Sequence, residues 1–352
     1  MKPIYFSLAI VSSFLISNCT HVYAHARAHA PECAFQQEQA APVARNVVLM
    51  IGDGMGAEHV WAAWLSNKGA LNITTLPVTG FSITTSASHT ITDSAAGGTA
   101  IACACKAVNG QLGLDAQGNP QDSLAVQMRK AGKSTGLVVT KSITDATPAA
   151  FYAHTESRNN TGEIAASLVD AGFDVIAGGG ACDFTKEQLE LLQKRSKHCE
   201  LVPTKECPPA SGRGDWLPEQ VTAALKELET DKDGFFLMVE GSRIDMSSHW
   251  NDLAETVRET LDFDRAVGVV LKWMQQHPDT LLVVTADHQT GGLSLHGGSR
   301  EKGEVDGHFS TFKHSGVAVP VYAAGAGAAQ FGGVQQNTEL APKIRKAAAV
   351  AP

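Results

Sequence analysis

Asn46-Val47-Val48-Leu49-Met50-Ile51-Gly52-Asp53-Gly54-Met55-Gly56 decides how the rest of the chain is read. Residues 47–51 are a short, unbroken apolar run, the pattern of a strand buried on both faces of a parallel sheet. Similar runs stand at 135–140, 174–176, 235–239, 281–285 and 319–323. Amphipathic stretches at 123–131, 161–171, 186–194, 218–228 and 254–276 fall between them. Alternating strands and helices of this kind predict an α/β class: a doubly wound, mostly parallel central sheet with helices on both faces.

Composition fits that class. The 352 residues are 43% hydrophobic and 18% charged, with 33 glycines, which excludes collagen-like, coiled-coil and wholly disordered chains. A formal net charge of −8 leaves no basic field for a phosphate backbone, so nucleic acid is excluded as the main partner. Lys2 precedes an apolar run over 4–16, and Val22-Tyr23-Ala24 ends on small or apolar residues, so 1–24 reads as a signal peptide. That run falls short of the roughly 20 residues of a membrane span. The expectation is an exported protein, periplasmic or secreted, without a membrane span. Lipidation at Cys19 is the alternative, disfavoured by Asn18 before it.

Residues 25–44 are expected to be a flexible N-terminus, and 45–352 one catalytic domain with an insertion near 181–215, where Lys, Cys and Pro collect. Export permits disulfides, and Cys182, Cys199 and Cys207 lie close enough in sequence to suggest one local staple. Cys103-Ala104-Cys105 has the look of a soft-metal pair but reads better as small thiols on a tightly packed helix.

In open α/β sheets, ligands bind beyond the carboxyl ends of the strands. Asp53 follows the first run; Asp145 and Thr147 follow 135–140; Glu240, Asp245 and His249 follow 235–239; Asp287 and His288 follow 281–285. Taken singly, each could be a capping aspartate or a satisfied core histidine. Four strand ends carrying such residues together predict a polynuclear metal site. Asp245 and His249 stand one helical turn apart and can face one ion. Histidine with carboxylate suits zinc, whereas Asp145, Thr147 and Glu240 offer only oxygen and suit magnesium. In Thr92-Asp93-Ser94-Ala95-Ala96, Thr92 or Asp93 can cap a helix, leaving the Ser94 hydroxyl at an N-terminus that favours anions. No Gly-x-Ser-x-Gly elbow is present, so metal activation fits this serine better than a Ser-His-Asp triad.

These motifs, with Asp145-Ala146-Thr147-Pro148, Glu240-Gly241-Ser242-Arg243-Ile244-Asp245, Thr285-Ala286-Asp287-His288 and His314-Ser315-Gly316, closely resemble the alkaline phosphatase family, in order from about Asn46 to about Gly325. The resemblance implies a phosphomonoesterase with two zinc ions and one magnesium ion, acting on small-molecule phosphate monoesters through a phosphoserine at Ser94. It implies Asp245, His249 and His314 for the first zinc, and Asp53, Asp287 and His288 for the second. It implies Asp53, Asp145, Thr147 and Glu240 for magnesium. It makes Arg158 the phosphate-gripping arginine, with Asp93 orienting it, and suggests a homodimer.

One departure is Met246 after Asp245, where relatives commonly carry Lys, His or Trp. Another is length, which leaves little room for an accessory domain and predicts an open site. The competing readings are a phosphodiesterase of the same superfamily, a sulfatase, and an exported metal- or phosphate-binding protein without turnover. The oxygen-only set argues against the first, the lack of Cys-x-Pro-x-Arg against the second, and Ser94 against the third.

Overall fold

The computed structural model describes residues 43–351. Thirteen strands occur among them: β1 (Asn46–Gly52), β2 (Val78–Ile83), β3 (Ser134–Ser142), β4 (Val175–Gly179), β5 (His198–Leu201), β6 (Phe235–Gly241), β7 (Thr280–Thr285), β8 (Gln289–Thr290), β9 (Leu293–Ser299), β10 (Glu304–Phe309), β11 (His314–Ser315), β12 (Val319–Gly325) and β13 (Gly333–Gln336). Nine form one sheet in the order β13-β2-β12-β7-β1-β6-β3-β4-β5. β12 runs antiparallel to β2 and β7, and every other pairing in the sheet is parallel. β9 with β10, and β8 with β11, make two small ribbons.

The α-helices are α1 (Ala57–Ser66), α2 (Ser94–Cys103), α3 (Leu124–Lys130), α4 (Ala146–Ala149), α5 (Thr161–Ala171), α6 (Lys186–Arg195), α7 (Ala210–Arg213), α8 (Trp216–Leu228), α9 (Arg243–His249), α10 (Leu253–Met274) and α11 (Leu340–Ala347). They cover both faces, as expected. The two-residue period of β1 shows why its run is unbroken. Val47, Leu49 and Ile51 enter one core layer with Ile101 of α2, Met128 of α3, Leu168 of α5 and Ile344 of α11. Val48 and Met50 enter the other, with Val60 of α1, Val221 of α8 and Phe263 of α10. Each buried side chain of this size contributes about 2 kcal/mol against exposure, so polar residues are disfavoured at every position of the run.

All six expected strands are present. β2, β5 and β13 were not expected, because Val78–Ile83 is buried only at alternate residues and the other two are polar edge strands. The stretch 181–215 does not leave the fold as an excursion: it supplies α6, α7 and β5, and β5 pairs with β4. Ala44, assigned to a flexible N-terminus, is buried, and its N–H donates to Ala347 O at 2.8 Å. The signal peptide, Cys19 and the rest of that tail lie outside the described residues. No helix among the described residues is long and apolar enough to cross a membrane.

The expected cysteine staple is absent. Cys182, Cys199 and Cys207 are free thiols: Cys182 is exposed on a 3-10 turn, Cys199 sits on the edge strand and Cys207 is buried against Val139 O. Cys103 and Cys105 are free too. Cys103 is buried on α2 with its thiol towards Gln121 O and Ala150 O, the packing role expected of it.

Candidate active site

Strand register gathers the site. Ile51 lies level with Glu240 and with Thr285, and Glu240 with Val139, so the chain leaves β1, β6, β7 and β3 at one edge of the sheet. Asp53 follows Gly52, and the left-handed Gly54 (φ 72°) turns the chain back. A Cβ on Gly54 would stand 2.6 Å from Thr290 Oγ1 and 3.0 Å from Asp245 Cα, so only glycine lets this turn press against the opposite loops. Its N–H donates to Asp287 Oδ1 at 3.2 Å.

Ser94 begins α2. Of the two candidate caps, Asp93 is the one used: its Oδ1 accepts from Ala96 N at 3.0 Å. Small residues let α2 reach the site, since a Cβ on Gly97 would meet Asp287 O at 3.0 Å. Ser94 Oγ consequently lies 3.1 Å from His288 Nε2.

Asp245 and His249 share one face of α9, with His249 Nε2 3.3 Å from Asp245 Oδ1. His314, which the strand-end test does not reach, arrives on the β8–β11 ribbon opposite Thr290. Its Nε2 is 3.1 Å from that of His249 and 3.5 Å from Asp245 Oδ1. The ring of His314 stacks on that of His288 with centroids 3.5 Å apart. Asp245, His249 and His314 offer ligand atoms all within 4.8 Å of one another, as do Asp53, Asp245 and His288. Asp287 joins the second group through its Oδ2, 3.2 Å from His288 Nε2.

Backbone and hydroxyl partners fix the tautomers. His249 Nδ1 donates to Phe312 O at 2.6 Å and His314 Nδ1 to Thr92 O at 2.9 Å. Thr290 Oγ1 donates to Asp245 Oδ1 and lies 3.2 Å from His288 Nδ1, from which it accepts. Each Nε2 therefore turns a lone pair inward; that of His288 can accept from the Ser94 hydroxyl, and those of His249 and His314 meet Asp245 and each other rather than donors. Asp53 Oδ1, Asp287 Oδ2 and Glu240 Oε2 are buried without a hydrogen-bond partner. Acceptors packed against acceptors are unfavourable unless a cation lies between them, so the donor set fits metal ions.

Electrostatics agree. Burial first, then Asp245, pushes Asp287 up to about 7. Burial and then Asp145 push Glu240 up to about 8. Asp53 is raised by burial and by Asp287, Asp245 and Glu240. Burial also drives His288 well down, with His314 adding to it, so this imidazole is neutral.

The oxygen-only set is arranged differently. Asp145 and Glu240 join no three-residue ligand group among the described residues. Asp145 caps α4 by accepting from Ala146 N at 2.8 Å, while Lys141 Nζ approaches its Oδ2 at 2.6 Å and Arg158 Nη2 its Oδ1 at 3.1 Å. Burial would lift this carboxyl, but Lys141 and Arg158 outweigh it and hold Asp145 below the usual carboxylate range. Arg158 Nη1 also reaches Asp93 Oδ2 at 3.5 Å. Thr147 is buried on α4 beside Gly98 of α2. Lys141 and Thr290 are absent from the sequence reading. Thr290 has no motif of its own, and Lys141 sits on a strand, where its four-residue spacing from Asp145 announces no pair.

A helix-terminal serine among histidines and unpaired carboxylates, with an arginine beside it, defines a metal-dependent hydrolase of phosphate esters. The alkaline phosphatase sequence profile matches residues 44–199 and 210–306. Alkaline phosphatase 4 of Bacillus subtilis (strain 168) is 34% identical over 319 residues, covering 80% of this chain and 69% of that protein. Streptomycin-6-phosphate phosphatase of Streptomyces griseus is 31% identical over 413 residues, covering 88% and 92%. The solved alkaline phosphatase of the Antarctic bacterium TAB5 superposes with a TM-score of 0.84 at 32% identity, covering 89% of this chain and all of that one. The chain belongs to the alkaline phosphatase family, and it is a phosphomonoesterase.

Proposed function

We propose that this enzyme splits phosphate monoesters through a phosphoserine at Ser94, with two zinc ions and one magnesium ion as resident cofactors. The observation that carries the reading is Ser94 Oγ, 3.1 Å from a neutral His288 Nε2 and beside buried carboxylate oxygens that no donor satisfies. Asp245, His249 and His314 would hold one zinc, Asp53, Asp287 and His288 the other, and Asp53, Asp145, Thr147 and Glu240 the magnesium. A variant of the TAB5 enzyme is described with Mg bound in its M3 site, which supports magnesium as one of the ions. Bound there, the ions supply Lewis-acid stabilisation of charge on the phosphoryl, attacking and leaving oxygens.

The Ser94 proton passes to solvent as its Oγ forms a bond to phosphorus and the bond to the ester oxygen breaks, and the departing alkoxide takes a proton from water to leave as the alcohol. Ser94 stands at the N-terminus of α2, an end whose dipole favours the anion so formed. Arg158 presents a planar guanidinium to two phosphoryl oxygens, and Asp93 orients it. Water then attacks the phosphoserine, freeing phosphate and restoring the Ser94 hydroxyl.

The test is kcat/KM for an aryl phosphate monoester and the matching diester on zinc- and magnesium-loaded protein, with labelled phosphate trapped by acid quench. A large monoester preference, lost with chelator, and label on Ser94 are expected. A diester preference or label elsewhere would refute the reading. Export follows from the signal peptide at 1–24, and a secreted product beginning at His25 is the expected mass. The organisation proposed is one catalytic domain over 45–352, assembled as a homodimer; light scattering at monomer mass would overturn the latter.

A further inference from the structure

Of the carboxylates at the sheet edge, Asp53, Asp287 and Glu240 each keep a buried oxygen without a donor, whereas Asp145 has both oxygens engaged. The group on its Oδ2 is an ammonium. Lys141 stands near the end of β3, in the irregular stretch between the Val138–Ala177 and Ser142–Gly179 pairings with β4. Its side chain is only 18% exposed and spans to Asp145 at 2.6 Å. Arg158 sits outside any helix or strand, tied through its N–H to Gly110 O at 2.7 Å. Its guanidinium is steered from two sides, by Asp145 at 3.1 Å and by Asp93 at 3.5 Å. Lys141, Asp145 and Arg158 line one cavity of about 310 Å³. The aim of Arg158 therefore depends on where the Asp145 carboxylate points, and that carboxylate is held by Lys141.

We propose that Lys141 is a positioning residue: its ammonium is a built-in cation that fixes Asp145, aims Arg158 at the phosphoryl group and competes with magnesium for the same carboxylate. This rests on the assignment of Asp145 to magnesium and of Arg158 to phosphate made above. Without Lys141, Asp145 frees an oxygen and loses a nearby positive charge, so a divalent cation binds it more tightly. The same freed carboxylate can chelate the guanidinium with both oxygens and draw it off the phosphate.

Lys141→Gln, Lys141→Arg and Arg158→Ala, each shown folded by its melting temperature, are compared with the unaltered enzyme. Magnesium dissociation constants are read by calorimetry on zinc-loaded protein, and inorganic phosphate inhibition constants alongside kcat and KM. In K141Q the magnesium Kd is expected to fall about tenfold and the phosphate Ki and KM to rise about tenfold, with kcat changed no more than about threefold. K141R, which keeps the charge, is expected to hold the phosphate Ki within about twofold of the unaltered enzyme. A K141Q protein with either constant at its original value overturns the proposal, as does a K141R protein as weak as K141Q. If R158A also leaves phosphate inhibition unmoved, the failure lies in the role given to Arg158, not in Lys141.

Discussion

The two halves of the centre are prepared for positive charge in opposite ways. In the histidine half, every ring Nδ1 is tied to a carbonyl or hydroxyl, and the Nε2 lone pairs of His249, His288 and His314 converge on Asp245, Asp53 and Asp287 with no cation of the protein's own between them. In the oxygen half, Lys141 and Arg158 already neutralise Asp145, while Glu240 keeps one oxygen bare, so the contrast is sharpest at Asp145. The fold brings its own cations to the place where a phosphoryl group must be oriented, and leaves lone pairs bare where ions must be taken from solution.

The largest expected effect separates the halves directly. His314→Ala removes one of the three ligands proposed for the first zinc, and kcat/KM for an aryl phosphate should fall about 10³-fold. Thr147→Val removes one neutral oxygen from the half with its own cations, and about tenfold is expected. Equal losses in the two variants would erase the distinction. Arg158→Ala comes next: it deletes a charge-assisted, bidentate contact to phosphate, so phosphate Ki and KM should rise about 30-fold. A Ki that stays put would remove Arg158 from the site.

A smaller effect sharpens the bare half. Thr290 Oγ1 donates to Asp245 and accepts from His288 Nδ1, linking the two ligand groups. Thr290→Val keeps the shape and removes both bonds, so zinc affinity measured by competition with a chelator should fall about tenfold. Unchanged affinity would mean that backbone tethers alone orient the ligands.

The contrast between what sequence revealed and what it hid follows the same division. Buried parallel strands write themselves as apolar runs, so β1, β3, β4, β6, β7 and β12 were legible, and the carboxylates at their ends with them. β2 shows its core face only at alternate residues, and β5, with His198 and Glu200, is a polar edge with nothing to bury on one side. Thr290 was hidden because it acts through a neighbour that the fold, not the chain order, brings close, and Lys141 because it sits on a strand, where a four-residue spacing announces no pair. Thr290 meets Asp245 across 45 residues of chain. The cysteines teach the converse, since Cys199 and Cys207 are near in sequence yet one lies on the sheet edge and the other under β3.

The mildest test uses acidity in place of mutation. In metal-free protein, burial and neighbouring carboxylates push Asp287 up to about 7 and Glu240 up to about 8, from ordinary values of 3.8 and 4.5. Above pH 6.5 the unfolded chain has already lost these protons while the folded chain still holds them. The folded state therefore binds more protons, and raising pH through 7 and 8 must lower stability. Buried His59, held at about 4 by burial, has the opposite sign, because the unfolded chain takes up its proton first on acidification. Its opposing contribution is half spent at pH 6.5 and gone by about pH 7.5, so it blunts the carboxylate slope only at the low end of the window. The melting temperature of chelated protein should fall by about 5 °C across that window. The metal-loaded protein should show no such fall, since bound cations replace the protons. Asp145, held low by Lys141 and Arg158, takes up no proton in this range, but its charge helps to raise Glu240, so Asp145→Asn should lessen the slope and Glu240→Gln should flatten it further. A slope that falls more in Asp145→Asn than in Glu240→Gln would put the unbalanced charge on the carboxylate that Lys141 and Arg158 already balance, and would overturn this account.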